Sequence, residues 1–152
     1  MAIPFGKDAV LYYSSSALSD STAASAASWT EYDNVRDVNG NFSAETVDTT
    51  TRATAKLGWS SSQTVLNAGE ISFNMPQPAV GTSDTVFEAI RDGWLNKTEV
   101  TLASMTGATS VSGSQGLAAN FSVQMTQGLP VKDVQSWDVT LTVSSFPEWY
   151  EI

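Results

Sequence analysis

The side chains with chemical reach in this sequence are carboxylates. Sixteen Asp and Glu stand against seven Lys and Arg, and the chain has neither His nor Cys. That removes the commonest general base, the commonest transition-metal ligand and the thiolate nucleophile. What remains is paired-carboxylate chemistry, as in glycoside hydrolysis, which needs two acids held at a set separation. Glu31, Asp33, Glu45, Asp48, Asp84 and Glu88 are the candidates, and no spacing among them singles out a pair. The Asp and Asn clusters form no calcium loop of the helix–loop–helix kind. Five Trp and four Tyr could stack on sugar rings, which keeps a carbohydrate-binding β-sandwich as an alternative reading. Trp94 and Trp137, however, fall on apolar faces of their elements, where core residues sit. Acceptor tripeptides for glycosylation begin at Asn41, Asn96 and Asn120. No secretion signal accompanies them, and they read as chance matches in a Ser/Thr-rich chain. No enzyme activity, cofactor or metal is expected.

The composition narrows the partners. The 152 residues fit one domain with a real core. A net charge of −9 argues against binding nucleic acid through phosphate contacts, which needs clustered Lys and Arg. It does not argue against a smooth acidic channel that DNA passes without sticking. No segment approaches a signal peptide or the ~20 apolar residues of a membrane helix, so no membrane partner is expected, and synthesis and folding in a cytoplasm are. Charged residues are only 15% of the chain, against about 25% in an ordinary soluble domain. A neutral polar coat implies that neighbours cover much of the surface.

The elements that must position these residues are mostly strands. Residues 35–44 alternate, with Val38, Gly40, Phe42 and Ala44 on an apolar face against Asp37, Asn39, Asn41 and Ser43. Residues 63–75 end with Ile71, Phe73 and Met75 against Glu70, Ser72 and Asn74. Residues 117–126 and 134–145 alternate in the same way, which is the period of a strand with one buried face. Shorter strands are predicted at 8–13, 29–32 and 98–104, and 14–28 is predicted to be a flexible or surface-lying loop. Residues 83–95 are the one clear helix, capped by Ser83 or Asp84, with Val86, Phe87, Ile90 and Trp94 in one stripe. The whole predicts a single domain over 1–152: a mainly β, antiparallel sandwich or strongly curved sheet with one flanking helix.

Two features have no use inside one subunit. The outward strand faces pool Asp37, Asn39, Asn41, Glu70, Ser72, Asn74, Gln124, Asp138 and Thr140, without Lys or Arg. Such a face is either an ordinary solvated sheet surface or a wetted wall facing a polyanion. The segment 45–62 exceeds the about 12–15 residues that a compact domain keeps as an idle loop, and it holds Val47, Leu57 and Trp59 to bury.

Residues 29–39 (WTEYDNVRDVN), 45–52 (ETVDTTTR) and Gly58-Trp59 resemble the tail tube, or major tail, proteins of long-tailed bacteriophages. The likeness extends in element order over roughly 8–145. It implies a structural virion protein: six subunits in a ring, inner sheets joined into one barrel, and rings stacked into a tube through which phage DNA passes without specific binding. The loop 45–62 would reach the next ring, with Glu45, Asp48 and Arg52 in polar pairs beside Thr49 and Thr50, and Val47, Leu57 and Trp59 as apolar contacts. The arms 1–7 and 146–152, with Phe5 and Trp149, would touch adjacent subunits, and the pooled polar face would line the lumen. The partners implied are further copies of the chain and the tape measure, tail terminator and distal tail proteins. A hub or completion protein of the same fold is the nearest alternative.

Overall fold

The computed structural model describes residues 9–51, 58 and 62–152. Its strands are β1 (Val10–Ser14), β2 (Thr30–Tyr32), β3 (Arg36–Asp48), β4 (Ser62–Pro76), β5 (Val100–Met105), β6 (Gln115–Gly128) and β7 (Ser136–Glu151), with helix α1 (Thr85–Leu95) between β4 and β5. All pairings are antiparallel, and the strands form one continuous seven-stranded sheet in the order β2-β1-β5-β6-β7-β4-β3.

That sheet has to curl. Its two edges, β2 and β3, are joined by residues 33–35 alone. The four residue steps from Tyr32 to Arg36 reach at most about 14 Å, whereas six strand spacings in a flat sheet span about 29 Å. Curling brings the apolar faces of both ends onto one core, where Leu11 and Tyr32 belong with Ile71, Phe73, Leu102, Phe121 and Leu141.

Helix α1 caps this core. Val86, Phe87 and Ile90 are buried in it, and Phe87 meets Trp137 edge-on at a centroid distance of 6.4 Å. Trp94, expected on the same stripe, is 44% exposed. Gly93 is buried instead, because a Cβ there would lie 2.7 Å from Val100 Cγ1. The helix begins at Asp84, whose Oδ1 accepts from Phe87 N at 3.1 Å. Its Oδ2 accepts from Tyr32 Oη at 3.4 Å and from Asn34 Nδ2 at 3.5 Å, which ties the helix to β2. Burial, and after it the Asp84 carboxylate, push the Tyr32 phenol well above its ordinary value. Asp84→Ala is expected to remove about 1–2 kcal/mol, as loss of a helix cap does. A thermal melt lowered by only a fraction of a degree would show the cap to be idle.

Residues 14–28 are a packed cover. Leu18 and Ala24 are buried in a second core on the far face of the sheet, with Tyr12, Ala103, Met105 and Ala118. Asn120, itself buried, accepts from Leu18 N at 3.0 Å and donates to Leu18 O at 2.9 Å. Glu148 Oε2 accepts from Ala24 N at 3.0 Å.

Two boundaries differ from the sequence expectation. The tail 146–152 is not a free arm, because β7 runs on to Glu151 and pairs Trp149 with Leu117 and Glu151 with Gln115. The long loop is shorter at its base, because Asp48 pairs with Ser62 and places Glu45, Val47 and Asp48 in β3 itself.

Candidate assembly surface

Directly opposed residues of antiparallel strands share a face. Three rows therefore cross β3, β4, β7 and β6. The first is Asn41, Glu70, Thr142 and Ser122; the second is Asn39, Ser72, Thr140 and Gln124; the third is Arg36, Asn74, Asp138 and Thr126. Residues from Arg36 to Thr142 thus meet on one wall, most of them exposed and the rest half-buried. Asn74 knits the third row: its Nδ2 donates to Asp138 Oδ1 at 2.9 Å and to Ser136 Oγ at 3.1 Å, and its Oδ1 accepts from Arg36 at 2.9 Å.

Asp37 is a correction. A register shift between Arg36 and Asn39 moves it out of the rows, with φ at 54°. It lines the cleft between β1, β2 and β3, beside Val38 and Gly40. Arg36 takes its place, so the wall carries one cation. Short amides and hydroxyls remain its main constituents, with Glu70 and Asp138 as its acids.

The other face of β3 is a second correction. The alternation placed Val38, Gly40, Phe42 and Ala44 in a core, yet every residue of β3 is exposed. Phe42 is 57% and Val47 49% exposed. The hairpin runs past the body of the subunit, since β7 pairs with β4 only from Glu70 to Pro76. The apolar stripe was correctly recognised as a stripe, but no described residue of the same subunit buries it.

The wall ends in two open edges. β5 pairs with β6 only through Phe121, so the outer side of β6 from Ser122 to Gly128 has no strand beside it among the described residues. Among the described residues the outer side of β3 also has no strand beside it. Open strands of this length template pairing with another chain.

At the hairpin tip, Asp48 Oδ1 accepts from Thr50 N at 2.8 Å. Bonds from the Thr50 side chain and backbone hold the Asp48 carboxyl below its usual range. Thr49 and Thr50 also make further interactions. Trp149 is exposed and donates from Nε1 to Gln115 Oε1 at 3.0 Å. Phe5, Arg52, Leu57 and Trp59 lie outside the described residues. Sequence reading missed the buried Asn120 clamp and an apolar groove at Gly69. An isolated Gly within a strand pattern is the signal that marks such a close approach.

The architecture just described is shared with chains of solved virion and tail particles. A chain in "Virion of native gene transfer agent (GTA) particle" superposes with a TM-score of 0.69 at 14% identity, covering 97% of this chain and 99% of that one. A chain in "Tail of empty GTA particle computed with helical refinement, C6 symmetry" gives 0.70 at 14% over the same shares. The SPP1 tail tube, solved by solid-state NMR and cryo-EM, gives 0.70 at 11%, covering 99% of this chain and 80% of that one. At these identities the likeness is one of fold. No protein-family model and no curated protein matches the sequence. Among the described residues no helix is long and apolar enough to cross a membrane.

Proposed function

We propose that this chain is the structural subunit of a phage-type tail tube and acts by assembly, without catalysis. The observation that carries this reading is a polar four-stranded wall bounded by two open edges, in a chain whose fold is that of tail tubes. Copies join edge to edge, β3 of one beside the Ser122–Gly128 half of β6 in the next. Such a junction pairs both open edges and continues the wall around a ring. The C6 symmetry of the GTA tail supports six copies per ring. The rings stack through the protruding β3–β4 hairpins and loop 45–62. The wall faces inward, and DNA slides past amides, hydroxyls and two acids that repel phosphate, with Arg36 as the one cation, its guanidinium held by Asn74. The subunit resides in the virion tail, where the tape measure, terminator and distal tail proteins are its further partners.

Concentrated protein imaged by negative stain is expected to show rings or tubes. A monomer in sedimentation at every concentration tested would overturn the proposal. Asp138→Lys tests the lumen separately. The residue is exposed and holds one bond, from Asn74, so the fold is expected to survive within about 1 kcal/mol. Particles built from the variant are expected to deliver DNA less completely, because a ring of cations replaces a ring of anions. A variant that melts far below the parent, or delivers DNA equally well, would remove Asp138 from the lumen.

A further inference from the structure

At Val143 strand β7 parts from β4. It stays with β6 through a bulge in which Phe146 takes a φ of 49°. The hairpin of β3 and β4 continues the other way. Between them lies an apolar groove of about 550 Å³, whose lining includes Phe42, Ala44, Gly69, Leu117, Pro147 and Trp149. Gly69 keeps its floor low, since a Cβ there would sit 3.0 Å from Val143 and 3.4 Å from both Leu117 and Phe42. Trp149 at the rim is 58% exposed, and Glu148 is the one ionisable residue of the lining.

The same pair of strands carries the opposite shape at its other end. The turn joining β6 to β7 exposes Leu129 at 61%, Val131 at 101% and Val134 at 52%, and Lys132 follows Val131. Val143 stands seven residues beyond Ser136, about 23 Å at ~3.3 Å per residue. The turn therefore cannot reach the groove of its own chain. A second copy, displaced along the strands, brings apolar turn to apolar groove. A contact between two different patches of one chain, displaced along the strands, repeats from copy to copy and builds a filament where its rotation does not close a ring.

The geometry points to a plug and socket between stacked copies, in which the turn spanning Leu129, Val131 and Val134 seats in the groove at Gly69 of the next copy. This rests on the tube reading and names the surface by which rings stack. The chain has no Cys, so disulfide trapping is clean. A variant with both Val131→Cys and Ala44→Cys, oxidised after assembly, is expected to run as a ladder of covalent multimers. Each single variant is expected to give no ladder, and a mixture of the two only dimers. Val131→Asp, at a fully exposed site, is expected to melt like the parent and to raise the concentration needed for tubes about tenfold. Intact tubes without a ladder, the result expected if residues 1–8 or another tail protein filled the groove, overturn the socket and leave the tube reading standing. A chain that forms no rings or tubes overturns both.

Discussion

Proline at Thr126 or at Gln127 is expected to separate folding from ring closure. Both residues are exposed on the open half of β6, opposite Asp138 and Trp137. Successive N–H groups of a strand point to opposite sides, so one of the two donates towards β7 and the other towards the open edge. Proline at the inward position removes a ladder bond within the subunit and is expected to lower its melting temperature. Proline at the outward position removes only a donor that solvent satisfies in the free subunit, and the monomer is expected to stay folded. In a ring, that donor faces the neighbour's β3. Losing it forgoes about 0.5–1.5 kcal/mol per junction, with the clash of the proline ring added. The loss recurs at each junction, so closed rings are expected to vanish at concentrations where the parent forms them. Sedimentation paired with circular-dichroism melts reads both effects. Rings that close equally well in both variants would mean that β6 is not the joining edge.

Asn120→Ala is expected to be the most damaging single substitution away from the apolar core. The side chain is 1% exposed. It bonds both backbone groups of Leu18, donates to Ser145 Oγ at 3.1 Å and accepts from Thr101 Oγ1 at 2.6 Å. Truncation strands these groups out of water, at about 1–3 kcal/mol for each that finds no new partner. A total of about 3–5 kcal/mol is expected, and at about 2–4 °C per kcal/mol for a chain of this size the melt falls by roughly 10 °C. The loop 14–28 is expected to loosen first, which limited proteolysis near 19–23 detects. A melt within a degree or two of the parent would show that the clamp is redundant.

Much of the wall was legible beforehand. Asn39, Asn41, Glu70, Ser72, Asn74, Gln124, Asp138 and Thr140 were grouped by alternation alone, and the rows across β3, β4, β7 and β6 place them together. The period of two is a local property of an extended chain, and it survives whatever the strand packs against. Asp37 broke the pattern because the bulge between Arg36 and Asn39 puts Arg36 in register with Asn39 and Asn41 and leaves Asp37 out. That irregularity lies in the pairing with β4, which residues 35–44 do not encode by themselves. Trp94 and Phe42 failed for a related reason. An apolar stripe records that something is to be covered, without recording whether the cover comes from the same chain or from a copy.

The sequence by itself determined the strand faces, the helix and its Asp84 cap, and a chemistry without His, Cys or a basic cluster. These are matters of composition, of a period of two and of a period of 3.6, all contained within a dozen residues. Only the tertiary structure decided that β6 serves two masters, pairing with β5 as far as Phe121 and standing open beyond it. It alone decided that β7 bends at Phe146 to leave a groove, and that Asn120 holds Leu18 from 102 positions away. Each depends on which distant segments become neighbours, and that choice belongs to the packing of the whole chain.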